Sequence, residues 1–102
     1  FEGTGAGRLV NRIPGGGRVY GTVEIDACCP SIAPGTGTPS HGGFLYYDVL
    51  EMMQALAKRH AVVGIDLVEV APDYDPTGST AILAAQLLLN TLGFIFHARG
   101  AR

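Results

Sequence analysis

The run VVGIDLVEV, Val62 to Val70, limits what this chain can become more than any other stretch. It is nearly continuous in apolar, mostly β-branched residues, broken only briefly by Asp66 and Glu69. A strand apolar on both faces has to be covered on both, which is the condition of a central strand in a parallel sheet. Parallel pairing requires a crossover, and the upstream sequence supplies one. From Val19 to Ile25 the period is two: Val19, Gly21, Val23 and Ile25 fall on one face, Tyr20, Thr22 and Glu24 on the other, and Asp26 continues the second face. Residues 27–43 form a long loop, because Pro30, Pro34, Pro39 and four glycines oppose regular structure. A helix is predicted from Tyr46 to Arg59, with Tyr46, Val49, Leu50, Met53, Leu56 and Ala57 as its apolar stripe and Glu51, Gln54 and Lys58 opposite. After the second strand, APDYDPTGST turns into a last helix, with Thr77, Ser79 or Thr80 available as caps. The order predicts a β-α-β-α unit with a right-handed crossover and one parallel strand pair.

Composition sets limits around that unit. At 102 residues the chain is at most one domain, and 47% hydrophobic with 16% charged residues is more apolar than a freestanding domain needs. Such an excess implies surface that something else covers. Residues 1–18 are glycine-rich and read as a flexible connector, leaving 19–102 as the folded portion. GTGAGR within that connector follows no strand and precedes no Lys-Ser/Thr, which excludes a phosphate loop. A net charge of −2 provides no field for nucleic acid or an anionic membrane. Cys28 and Cys29 match no zinc spacing; they read as small buried hydrophobes in a reducing, cytoplasmic setting. Residues 79–98 carry no formal charge apart from His97, yet Gln86, Asn90 and Thr91 interrupt them, so they read as a buried helix covering the sheet rather than a membrane span.

Both predicted strands end in acids. Glu24 and Asp26 project from one face about 7 Å apart, and Asp66 and Glu69 end the second strand. Ligands of open α/β sheets bind outside the carboxyl ends of the strands. Converging carboxylates repel one another, and a divalent cation relieves that repulsion; oxygen donors suit Mn²⁺ or Mg²⁺ better than zinc. Spacing alone leaves solvated acids or helix caps open as the alternative.

The stretch TVEIDACCPSIAPGTGTPSHGG resembles the signature of the ureohydrolase family, which includes arginases and agmatinases. That signature runs Ser/Thr, apolar, Asp, apolar, Asp, three residues, Pro, then a Pro-Gly loop ending in paired glycines. Thr22, Asp26, Pro30, Pro34, Gly35 and Gly43 fit it, and APGTGTP leans toward agmatinases. VVGIDLVEVAPDYDPTGSTAILAAQLL is similar to the family's last strand and helix, so the resemblance runs from about Arg18 to Phe96. It implies a three-layer α/β/α arginase-like parallel sheet, of which this chain is the C-terminal strand-helix-strand-helix portion. It also implies hydrolysis of a guanidino compound to urea and an amine at a site of two Mn²⁺ ions. On that basis Asp26 corresponds to a metal ligand, Glu24 to an Asp that bridges both metals, and Glu69 to the acid that holds the guanidinium, a pairing favoured by charge and fork geometry. A homo-oligomer, trimer or hexamer, is implied in full-length context.

The sequence departs from the family at several points. Glu24 is one methylene longer than the family's Asp, and Cys29 stands where an Asp precedes the proline. The family's Gly-Gly-Asp-His and Asp-Ala-His-x-Asp ligand segments lie upstream and have no counterpart here. His41, His60 and His97 do not replace them and read as solvent-facing. The alternative these departures favour is a non-catalytic homologue acting as an assembly or interaction module. A phosphate- or nucleotide-binding module is opposed by the lack of any Lys or Arg within residues 19–57.

Overall fold

The computed structural model describes Val10 and residues 12–100. Strand β1 (Arg18–Glu24) leads through the long loop to helix α1 (Tyr46–Arg59), strand β2 (Ala61–Val68) and helix α2 (Ser79–Gly100). Short 3-10 turns follow each strand, at Ile25–Ala27 and Pro72–Tyr74. β1 and β2 pair in parallel, from Arg18 opposite Ala61 to Glu24 opposite Val68, as the crossover order predicts. The register slips once, between Val19 and Tyr20, leaving Val63 as the extra residue. Beyond the slip, Tyr20 faces Gly64, where an added Cβ would stand 2.6 Å from the Tyr20 ring. Only glycine lets that ring lie across β2 there.

The two helices pack mainly on each other. Ile25, Cys28, Ala33, Val49, Ala84 and Leu87 form the principal core, and Ala57, Val62 and Ile95 a second cluster toward the other end. Leu45 brings no capping side chain to α1; instead the buried Asp48 accepts from the Leu45 N–H at 2.9 Å, satisfying a donor at the helix start. Cys28 fills the core as its small-hydrophobe reading requires, whereas Cys29 is half-exposed and differs from that reading.

Three expectations need correction. First, β1 stops at Glu24, so Asp26 does not share a strand face with it. Ile25 and Cys28, three apart, are both buried, and residues three apart in a 3-10 turn eclipse one another. Burying both forces the turn. Second, His60 is buried rather than solvent-facing, its Nε2–H donating to the Pro14 carbonyl at 2.8 Å. Third, α2 is not a buried cover for the sheet. It packs chiefly on α1, its buried residues are Thr80, Ala84, Leu87, Thr91 and Ile95, and Asn90 donates to the Tyr46 hydroxyl at 2.7 Å. On its outer side Ile82 (59% exposed), Leu89 (71%) and Phe96 (62%) form a stripe at seven-residue spacing. By length and composition this helix could also cross a bilayer.

Of the predicted connector, residues 1–9 and 11 lie outside the described residues. The segment that follows is tied to the α1–β2 junction: Gly16 N–H donates to Arg59 at 3.1 Å and Ala61 N–H to Gly17 at 3.0 Å.

Candidate functional site

The carboxyl end of the two-stranded sheet holds the acids singled out in the sequence. Glu24 is the exposed last residue of β1, and its register partner is Val68, the last residue of β2. Glu69 follows directly, exposed, with a backbone φ of 73°. Among the described residues it alone, glycine apart, has positive φ, a conformation costing about 1–2 kcal/mol for an L-residue. Such strain persists only where the surroundings impose it, and it concentrates at functional sites. Asp66 does not terminate its strand. It lies inside β2 opposite Thr22, with Oδ2 accepting from the Tyr20 hydroxyl at 2.9 Å. Its Oδ1 is buried and has no hydrogen-bond partner among the described residues.

Asp26, half-buried in the turn after β1, accepts on Oδ2 from Thr38 Oγ1 at 2.7 Å. Thr38 belongs to the proline-glycine loop, and two fastenings fix where that loop runs. One closes its base: Phe44 N–H donates to Ala27 at 2.9 Å and Cys29 N–H to Phe44 at 2.8 Å. The other grips its tip, where Gly35 N–H donates to Thr80 Oγ1 at 2.8 Å and the Gly35 carbonyl accepts from Ala71 N–H at 2.7 Å.

Thr80 is held in turn by Asp75, whose Oδ2 accepts both the Thr80 hydroxyl (2.7 Å) and the Thr80 N–H (2.8 Å). Thr77 donates its hydroxyl and N–H to Asp75 Oδ1. Donors from Thr77 and Thr80 hold the Asp75 carboxyl at about 2, below its ordinary 3.8. A Cβ on Gly35 would stand 2.9 Å from both Asp75 and Thr80, so only glycine fits this clasp.

The two cysteines diverge in chemistry. Burial pushes the Cys28 thiol up, whereas the Ser31 hydroxyl, 3.2 Å from Cys29 Sγ, together with nearby backbone N–H groups lowers that of Cys29. Beside β1 an apolar cavity of about 210 Å³ opens between Val23, Phe44, Val49, Met52 and Met53, with Glu24 on its wall.

Glu24, Asp26 and Glu69 therefore occupy one end of the sheet, while Asp66 sits deeper. No three His, Cys, Asp or Glu among the described residues gather closely enough to hold a metal ion. The donor set does fit a hard divalent cation as a contributor. Asp26 keeps Oδ1 beyond its bond to Thr38 and Glu24 is exposed, so both have carboxylate oxygens to offer such an ion. Sequence reasoning missed Thr38 and Asp75. The Asp-x-Thr pattern at Asp75 is a legible Asx-turn signal, but a bond across 12 residues from Thr38 to Asp26 leaves no local trace.

The same architecture occurs in proteins of known type. The chain overlays the proclavaminate amidino hydrolase of Streptomyces clavuligerus with a TM-score of 0.85 at 37% identity, over 95% of this chain and 33% of that one. A hypothetical agmatinase from Burkholderia thailandensis gives 0.82 at 39%, over 95% and 32%. In sequence the chain is 45% identical over 78 residues to the guanidinobutyrase of Pseudomonas aeruginosa, covering 76% of this chain and 24% of that protein. It is 47% identical over 78 residues to the mitochondrial agmatinase of Gallus gallus, covering 76% and 23%. It thus spans about a quarter of the length of these curated relatives. The profile of the Arginase family matches residues 5–93. With strand pair, glycine-dependent loop and both sequence blocks in agreement, this chain belongs to the arginase family.

Proposed function

We propose that this chain contributes part of a manganese-dependent guanidino hydrolase site that releases urea and an amine. The observation that carries the proposal is the delivery of Glu24, Asp26 and Glu69 to one end of a parallel strand pair, in a chain similar to a guanidinobutyrase and to agmatinases. Glu24 and Asp26 are the residues that would hold metal, as two of the ligands of a site for two Mn²⁺ ions. When bound, such a metal pair supplies Lewis acidity and lowers the pKa of water toward neutrality.

The chain's own residues do the rest of what can be assigned to it. Glu69 offers a carboxylate to the planar guanidinium, whose paired N–H groups match two carboxylate oxygens. Its left-handed backbone aims that side chain differently from a continuing strand residue. Asp26 is steadied by Thr38, and the buried Ile25 anchors the turn that carries it. Two free cysteines agree with a reducing cytoplasm, and the uncovered stripe on α2 agrees with a homo-oligomer or a larger fold around this unit. A net charge of −2 supports the absence of nucleic-acid partners.

The test is a chimera in which residues 18–96 replace the matching segment of an agmatinase, assayed for urea release and bound manganese. Asp26→Ala should abolish both. Glu24→Asp should raise both, because the extra methylene of Glu24 would displace its carboxylate from the metal-holding position by about 1 Å, and misplacement of that size costs about a hundredfold in rate. Retention of manganese and activity by Asp26→Ala would overturn the proposal. A fall in activity on Glu24→Asp would show that Glu24 is a tuned ligand.

A further inference from the structure

The loop 34–38 touches two places that the sequence keeps far apart. At Gly35 it is bolted to Thr80 and, through Thr80, to Asp75 at the entry to α2. At Thr38, three residues on, its hydroxyl holds one oxygen of Asp26 at 2.7 Å. The Gly35 end is fixed on both sides of its backbone, its N–H donating to Thr80 Oγ1 at 2.8 Å and its carbonyl accepting from Ala71 N–H at 2.7 Å. The Asp26 end is equally constrained, because Ile25 and Cys28 on either side are buried in the core.

We infer that Thr38 is a positioning residue for metal binding, orienting the Asp26 carboxylate from a loop that the Asp75–Thr80 clasp fixes in place. This rests on the reading of Asp26 as a manganese ligand. With Oδ2 committed to Thr38, the side chain loses its freedom to rotate away and presents Oδ1 in one direction. A ligand ordered before the metal arrives costs less to order when it binds. Hydrogen-bond partners of metal ligands ordinarily contribute 10–100-fold to metal affinity, and an exposed bond such as this one belongs at the lower end, about tenfold. Thr38 touches neither substrate nor metal in this role.

The experiment titrates Mn²⁺ into the chimera that carries residues 18–96 within an agmatinase and follows the free ion by electron paramagnetic resonance, a readout independent of turnover. Thr38 is exposed, so its variants leave the core untouched. Thr38→Val, which keeps the shape and removes the hydroxyl, should weaken binding about tenfold, and Thr38→Ser, which keeps the hydroxyl, should restore it to within about twofold. Thr80→Val should weaken binding in the same direction by loosening the loop at Gly35. If Asp26→Ala loses manganese while Thr38→Val binds like the unsubstituted chimera, Thr38 has no positioning role and Asp26 remains a ligand. If Thr38→Ser fails to rescue, the hydroxyl is not the cause and the inference falls. If the chimera with the natural residues takes up no manganese, or Asp26→Ala in it binds equally well, the manganese reading of Asp26 falls and takes the inference with it.

Discussion

Gly43, the second of the paired glycines closing the long loop, carries the sharpest prediction. A Cβ at this position would lie 2.6 Å from the Ala27 carbonyl oxygen and 2.7 Å and 2.8 Å from the Cys28 carbonyl carbon and oxygen. All three are backbone atoms, so no rotamer change relieves the contact. Restoring ordinary separation requires the two segments to part by about 0.8 Å. The bonds beside it, Phe44 N–H to Ala27 at 2.9 Å and Cys29 N–H to Phe44 at 2.8 Å, would then stretch beyond hydrogen-bonding range. Two lost backbone bonds cost about 2 kcal/mol and residual overpacking about 1 kcal/mol or more, giving about 3 kcal/mol for Gly43→Ala. Gly42→Ala is the control. Gly42 has φ 73° but open space around it, so its cost is backbone strain alone, about 1 kcal/mol. Hydrogen exchange of the Cys29 and Phe44 amides reads both: protection should fall about a hundredfold in Gly43→Ala and about fivefold in Gly42→Ala. Equal losses in the two variants would refute the argument, since strain rather than the backbone contact would then explain the glycine pair.

Two further outcomes follow from the clasp and from the outer face of α2. The Asp75 carboxyl is depressed to about 2 in the folded chain against an ordinary 3.8, so its contribution to stability is complete above about pH 4 and is lost as pH falls through about 2. Asp75→Asn should melt lower at neutral pH and lack that acid-side loss in a pH series of thermal melts; an unchanged acid limb would show that Asp75 is not responsible for it. The exposed stripe of Ile82, Leu89 and Phe96 on an uncharged stretch should make the isolated chain self-associate. Sedimentation should show Leu89→Lys with Phe96→Lys shifted toward monomer, and a natural chain that sediments as a compact monomer would contradict this.

The local elements were legible because each rests on neighbours in sequence. The 3.6-residue stripe of α1 and the alternation of β1 need only residues a few positions apart, and α1 spans the predicted Tyr46–Arg59. The apolar run of β2 was equally clear, and its parallel pairing followed from the crossover between the strands. The family signature reached further, since it placed Glu24, Asp26 and Glu69 at strand ends that the structure puts side by side.

Patterning along the chain therefore settles the order of elements, the parallel pair and the acids at its carboxyl end. Tertiary structure decided what those acids touch. Strand alternation could not show that Ile25 and Cys28 would both enter the core and turn Asp26 out of the strand's face, because that depends on helices packed above them. Nor could it show Thr38 reaching Asp26, the Asp75–Thr80 clasp gripping Gly35, or His60 buried against Pro14. The bonds to Asp26, Gly35 and Pro14 join residues 12 to 46 positions apart. Periodicity and spacing report only the chain's local geometry, and the partner of a polar group is chosen by the fold as a whole.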